Sequence, residues 1–135
     1  MNARKILVVD DEPGVLDYFS RLLAEPEYEM HGATGGQEAL DKLGGNGFDM
    51  LILDLVMPGM DGMEVLRKVR ETDKDLIVLI ITGYPSEETT RESLDSGCID
   101  YVHKPFDHEE IKNLIKDAFE TKRYKLRNTD TPVQD

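Results

Sequence analysis

The stretch LILDLVMPGMDG, residues 51–62, carries the strongest local signal for the fold of this chain. Apolar residues lead into Asp54, and Pro58, Gly59 and Gly62 follow soon after it. A short apolar run bounded by turn residues is typical of a buried strand, so Asp54 is predicted to end one. A carboxylate at the end of a buried strand needs a reason, which must come from residues elsewhere in the chain.

The same order, a strand pattern and then a helix pattern, recurs five times along the chain. Strands are predicted at residues 6–9, 27–31, 49–54, 76–81 and 98–104. Helices are predicted at residues 13–23, 36–43, 61–69, 86–96 and 107–119. Pro13 suits the first turn of a helix, while Asp61, Ser86 and Asp107 suit N-caps. Leu94 is the one large aliphatic residue of the fourth helix, so we expect that helix to be loosely anchored and to move.

Continuously apolar strands separated by helices indicate a parallel sheet covered on both faces, that is, a doubly wound α/β domain. The chain of 135 residues is long enough for one such domain. We expect the domain to occupy residues 1–122 and a tail or the start of a linker to occupy 123–135. In such sheets ligands bind beyond the carboxyl ends of the strands, so function is sought there.

Composition narrows the possible partners. The chain has 16 basic and 28 acidic residues, a net charge of −12, which argues against direct binding of nucleic acid or anionic membranes. The opening residues lack the apolar length of a signal peptide or a spanning helix, so a cytoplasmic location is expected. Cys98 is the single cysteine and is interpreted as a small core residue.

Charged and hydroxyl residues stand at four of the predicted strand ends. They are Asp10 and Asp11 after the first strand, Asp54, Thr82 after the fourth, and Lys104 at the end of the fifth. Three neighbouring carboxylates repel one another, and a divalent cation relieves that repulsion. Oxygen ligands favour a hard ion such as Mg²⁺ acting with a phosphate substrate. Lys104 and Thr82 supply the positive charge and the hydroxyl that a phosphoryl group requires.

These motifs together resemble the receiver domains of response regulators. The resemblance rests on the pair DD at 10–11, on Asp54 followed by MPGMDG, on Thr82, and on KP at 104–105, and it spans residues 4 to about 120. It implies a flavodoxin-like, five-stranded parallel sheet in the order 2-1-3-4-5 with five helices.

The resemblance also implies roles for residues. Asp54 would accept a phosphoryl group from a phosphohistidine of a sensor histidine kinase or phosphotransfer protein. Asp11, Asp54 and the backbone carbonyl of Val56 would bind Mg²⁺, and Asp10 would act through water. Such a protein is a phosphoacceptor regulator of two-component signalling that catalyses only its own phosphorylation and dephosphorylation.

Further implied features concern the switch. Lys104 would pair with the phosphoryl group, Thr82 would move to bind it, and Tyr101 would turn inward afterwards. The Lys104–Pro105 peptide bond would be cis. The helix at 86–96, the fifth strand and the last helix would form the output surface for a downstream protein or a fused output domain, with a phosphorylation-dependent dimer as one form of output.

Three alternatives are weighed. A flavodoxin-like cofactor site would need a first loop rich in neutral donors, whereas DDEPG is acidic. A dehalogenase-type phosphohydrolase would carry Asp-x-Asp at the first strand, whereas this chain has adjacent aspartates. The nearest alternative is a receiver-like interaction module that never uses phosphate, against which intact Asp54, Thr82 and Lys104 argue.

The family varies at the positions of Val56 and Tyr84, and these residues tune the lifetime of the phosphate. The bulky side chain of Tyr84 is hypothesised to hinder water from attacking the phosphate.

Overall fold

Five strands and five helices alternate in the computed structural model, which describes residues 3–45 and 47–128 of the chain. The strands are β1 (Arg4–Val9), β2 (Tyr28–Ala33), β3 (Met50–Asp54), β4 (Ile77–Thr82) and β5 (Asp100–His103). The helices are α1 (Pro13–Leu22), α2 (Gly36–Leu43), α3 (Gly62–Thr72), α4 (Glu87–Asp95) and α5 (His108–Asn128). The alternation predicted from the apolar pattern is therefore confirmed.

The strands form one parallel sheet in the order β2-β1-β3-β4-β5. The register places Asp54 beside Ile81, the residue before Thr82, and places Thr82 beside His103, the residue before Lys104. Because all strands point the same way, their carboxyl ends meet at one edge. The flavodoxin-like fold class and the strand order are thus confirmed, and the predicted site residues are brought to that edge.

Both faces of the central strands are buried, as the continuous apolar runs indicated. All of β3 and β4 is buried, and alternate residues such as Leu51 and Leu53 join a core cluster with α2 and α3. On the opposite face, Leu16 of α1 lies next to Gly32 of β2, where an added Cβ would meet the leucine at 3.5 Å. Cys98 is buried in the first cluster, as predicted.

Side-chain caps confirm the predicted starts of α3 and α4. Asp61 accepts a hydrogen bond from the Glu64 amide at 2.9 Å, and Ser86 accepts one from the Thr89 amide at 3.1 Å. Pro13 opens α1, where its missing N–H costs no hydrogen bond. These caps satisfy amides that the first turn of a helix leaves without intrahelical partners.

Strand ends depart from the pattern by a few residues. β2 continues through Gly32 to Ala33, two residues beyond the predicted end, and β5 is limited to Asp100–His103. The extension follows from pairing with β1, where Val9 lies opposite Ala33. Backbone hydrogen bonds to a neighbouring strand outweigh the low strand propensity of glycine.

The α4 helix is held by polar contacts. Leu94, the one large aliphatic residue of α4, is 52% exposed, whereas Ser93 is buried and its hydroxyl contacts the Met63 sulfur at 3.6 Å. Arg67 of α3 makes two hydrogen bonds, of 2.6 and 2.9 Å, to Glu92. The exposure of Leu94 agrees with the prediction that apolar contacts anchor α4 only loosely, and the mobility of the helix stays a prediction.

The chain divides into two compact units, one ending at Lys104 and the other beginning at Pro105. The second contains α5, whose first turn is capped by Asp107 through a 2.9 Å hydrogen bond from the Glu110 amide. The expected domain boundary at residue 122 and the expected tail or linker at 123–135 stay predictions, and residues 129–135 lie outside the described part of the chain. Among the described helices, none is both long and apolar enough to cross a membrane.

Candidate functional site

The turn after β3 leaves Asp54 at the carboxyl edge of the sheet. The Gly62 amide donates a 2.9 Å hydrogen bond to the Leu55 carbonyl, so α3 begins directly against the strand end. A Cβ on Gly62 would lie 2.5 Å from the Leu55 Cα, so only glycine fits this approach. Gly59 has φ of 81°, a conformation that glycine adopts without strain. The MPGMDG segment therefore turns the chain sharply away from the carboxylate.

Three carboxylates meet at this edge. One carboxylate oxygen from each of Asp10, Asp11 and Asp54 lies within 4.8 Å of the others. Asp10 and Asp54 are buried, while Asp11 is partly exposed. Asp10 and Asp54 also accept hydrogen bonds from the amides two residues later, those of Glu12 at 2.9 Å and Val56 at 3.2 Å. The carboxylates are therefore held in place and close enough to share one cation.

Lys104 brings a positive charge to the same place. Its Nζ lies 2.8 Å from Asp10 Oδ2 and 3.5 Å from Asp54 Oδ2, although 94 residues separate Lys104 from Asp10. The Lys104 amide donates to the Thr82 carbonyl at 2.7 Å, which continues the β4–β5 pairing. The predicted convergence of these residues is confirmed.

The cluster holds more negatively charged groups than positively charged ones. Burial raises the pKa of Asp54 from 3.8 to about 6; the Val56 amide opposes that rise, and the charge of Asp10 adds to it. For Lys104, burial by itself would lower the pKa, but the hydrogen bond to Asp10 leaves it above its ordinary value. One ammonium thus faces several carboxylates, an arrangement that a divalent cation would neutralise.

Thr82 ends β4 at the same edge of the sheet as the carboxylates. Thr82 is fully buried at the end of β4, and its Oγ1 accepts a 3.0 Å hydrogen bond from the Tyr84 amide. A hydroxyl that accepts one hydrogen bond can still donate another. Val56 and Tyr84, which follow Asp54 and Thr82 by two residues, are 49% and 76% exposed, so both lie at the protein surface.

Tyr101 has a partner that the sequence did not indicate. Its phenol oxygen lies 2.7 Å from Thr89 Oγ1 on α4, and its ring packs against the core cluster. The contact joins β5 to α4, so an inward turn of the ring would break a hydrogen bond.

Glu12 is the residue of the site that sequence reasoning missed. Its Oε1 lies 3.3 Å from Lys104 Nζ, although its side chain is 66% exposed. A third consecutive acid after Asp10 and Asp11 was the available signal, but Glu12 also precedes Pro13 and could serve as a helix cap.

Comparison with known proteins identifies the family. Residues 6–116 match the model of the response regulator receiver domain. The chain is 34% identical over 116 residues to sporulation initiation phosphotransferase F of Bacillus subtilis (strain 168), covering 86% of this chain and 94% of that protein. This chain therefore belongs to the response regulator receiver domain family and is a receiver of two-component signalling.

A second relative is longer than this chain. Response regulator MprA of Mycobacterium sp. (strain KMS) is 41% identical over 107 residues, 79% of this chain but only 46% of that protein. The chain thus spans about half the length of the MprA relatives and nearly all of the sporulation protein.

Solved structures agree with the fold. A CheY-like receiver from Methanospirillum hungatei JF-1 has a TM-score of 0.87 at 28% identity, covering 92% of this chain and 99% of its own. Response regulator TrrA of Thermotoga maritima, solved in complex with Mg²⁺-BeF, has a TM-score of 0.76 at 36% identity and coverages of 85% and 98%.

Proposed function

We propose that this receiver accepts a phosphoryl group on Asp54 in a reaction that uses Mg²⁺. The observation that carries the proposal is the position of the Asp54 carboxylate, whose Oδ2 lies 3.5 Å from the Lys104 ammonium and whose oxygens neighbour those of Asp10 and Asp11. The donor would be a phosphohistidine of a histidine kinase or phosphotransfer protein. An Asp54 oxygen would form the new bond to phosphorus while the bond to the imidazole nitrogen breaks.

The donor set suits a magnesium ion. Asp11 and Asp54 would bind it directly, together with the Val56 carbonyl, and Asp10 would act through water. When bound, the ion supplies positive charge that neutralises the phosphoryl oxygens and the carboxylates. Support comes from the excess of carboxylates over the single ammonium, and from the TrrA relative, which was solved with Mg²⁺-BeF.

The chain's own residues would then position and sense the phosphoryl group. Lys104 would donate to one phosphoryl oxygen, and the Thr82 hydroxyl would donate to another. Movement of Thr82 would make room for Tyr101 to turn inward, away from Thr89. Since Thr89 lies on α4, loss of that 2.7 Å hydrogen bond would alter how α4 is held against β5.

The signal would pass to a protein partner through a surface that includes α4 and β5. A contribution of α5 to that surface stays a prediction. The cis Lys104–Pro105 peptide bond and a phosphorylation-dependent dimer also stay predictions. The partner would be a separate downstream protein or a fused output domain. The region shared with this chain makes up only 46% of the MprA relative, so that protein is longer than a receiver of this size.

Phosphorylation is tested with acetyl phosphate and Mg²⁺, followed by intact mass. The wild-type chain should gain one phosphoryl group, and EDTA or Asp54→Asn should abolish the gain. Asp95→Asn, which removes an exposed carboxylate at the end of α4, should be phosphorylated like wild type. Gain of mass by Asp54→Asn, or none by wild type, would refute the proposal.

The phosphate-independent module is tested by capture of partners with and without beryllofluoride, a phosphoryl mimic. Under the proposal, the captured set changes when beryllofluoride and Mg²⁺ are present. An identical set in both conditions would favour the phosphate-independent module.

A further inference from the structure

The Glu12 side chain contacts a distant residue and does not cap the helix that it precedes. Glu12 is the N-cap residue of α1, yet its side chain makes no capping hydrogen bond. Its Oε1 instead lies 3.3 Å from the Lys104 ammonium, 92 residues away in the chain. Glu12 thus contacts the Lys104 ammonium, which is the one cationic side chain that the described residues place among these carboxylates.

The Lys104 ammonium is shared among three carboxylates. Its Nζ has three N–H donors and makes two hydrogen bonds, to Asp10 at 2.8 Å and to Glu12 at 3.3 Å, while Asp54 Oδ2 lies 3.5 Å away. A phosphoryl oxygen on Asp54 would have to share the Lys104 charge with Asp10 and Glu12, and Lys104 would bind it more strongly if one of these two contacts were given up.

Glu12 is the contact that is most easily given up. Asp10 is fully buried and makes the shortest contact, so its separation from Lys104 would leave a buried charge unpaired. Glu12 is 66% exposed, so water can replace the ammonium as its partner. Exposed ion pairs contribute little to stability, so this contact matters mainly for where the Lys104 charge is directed.

We propose that Glu12 is a positioning residue that competes with the incoming phosphoryl group for Lys104. This inference rests on the proposed function, in which Asp54 carries that group. Glu12 holds the ammonium in the unphosphorylated receiver and lowers the affinity of the site for a phosphoryl ligand.

The competition is tested by titrating beryllofluoride at saturating Mg²⁺ and following the bound fluoride by ¹⁹F NMR. Glu12→Gln removes the charge, and Glu12→Asp keeps the charge but shortens the reach to Lys104. Both should bind beryllofluoride about twofold to fivefold more tightly than wild type, as expected for loss of an exposed ion pair. Glu25→Gln, an exposed acid after α1, should bind like wild type.

Several results would overturn the inference. Unchanged or weaker beryllofluoride binding by Glu12→Gln would do so, as would Glu12→Asp behaving like wild type, since the effect would then arise from charge alone. A marked loss of Mg²⁺ affinity in Glu12→Gln would instead make Glu12 part of the metal site.

A second measurement separates this inference from the proposed function. If wild type fails to bind beryllofluoride, the proposed function fails. The ¹⁵N chemical shift of the Lys104 ammonium in metal-free protein still reports the contact: it should move in Glu12→Gln and stay in Glu25→Gln. An unmoved shift would overturn the role of Glu12.

Discussion

Replacing Asp54 by Asn should stabilise the metal-free protein at pH 7.5. Burial raises the pKa of Asp54 from 3.8 to about 6, so keeping this carboxylate ionised in the folded state costs free energy. At 1.36 kcal/mol per pKa unit, the shift of about 2 units sets an upper limit near 3 kcal/mol. Solvent at the open edge screens the charge, so we expect a gain of about 1–2 kcal/mol, which would raise Tm by roughly 3–8 °C.

The pH dependence has a definite sign. Because the folded pKa lies above the unfolded one, the wild type suffers no penalty below about pH 4 and the full penalty above about pH 6. The difference between Asp54→Asn and wild type should therefore be largest at pH 7.5 and shrink as the pH falls from 6 to 4. Mg²⁺ should also reduce the difference in stability between Asp54→Asn and wild type, since the ion would stabilise the ionised wild type.

The assay is urea denaturation followed by circular dichroism, with EDTA present, at several pH values. Asp95→Asn serves as the control and should change stability by less than about 0.5 kcal/mol. If Asp54→Asn is less stable than wild type at pH 7.5, or if the difference does not vary with pH, the assigned cost of the buried charge is wrong.

Three further predictions concern neighbouring contacts. Lys104→Gln leaves two buried carboxylates without their cation and should cost about 1–3 kcal/mol in urea, part of which millimolar Mg²⁺ should restore; no recovery would argue against a metal site. Gly62→Ala places a Cβ against backbone and should cost about 1–3 kcal/mol, whereas Gly14→Ala, with open space around it, should be neutral or stabilising; equal effects would contradict the close approach. Thr89→Val removes the bond to Tyr101 and should cost about 0.5–1.5 kcal/mol, with no added loss in the double variant with Tyr101→Phe.

Local patterns were sufficient to predict most of the fold. The apolar run before Asp54 predicted β3, and the caps at Asp61, Ser86 and Asp107 were found as expected. These features depend on residues within a few positions of one another, so they can be read along the chain. The end of β2 could not be predicted in this way, because pairing with β1 extends it to Ala33.

The sequence also supplied the candidate site, since parallel strands place their carboxyl ends at one edge. Asp10, Asp11, Asp54, Thr82 and Lys104 were all predicted to meet, and the register of the sheet brings them there. A parallel sheet brings its strand ends together, so the strand ends were enough to name these five residues, although not Glu12.

Only the tertiary structure decided which side chains touch. The contact of Glu12 with Lys104 and that of Thr89 with Tyr101 join residues with no shared local pattern. Whether such pairs meet depends on where each helix starts beyond its strand and how its side chains turn, and differences of an ångström decide it. The sequence by itself determined the elements and the residues at the strand ends. Packing determined that Glu12 joins them, which carboxylates share Lys104 and what holds Tyr101.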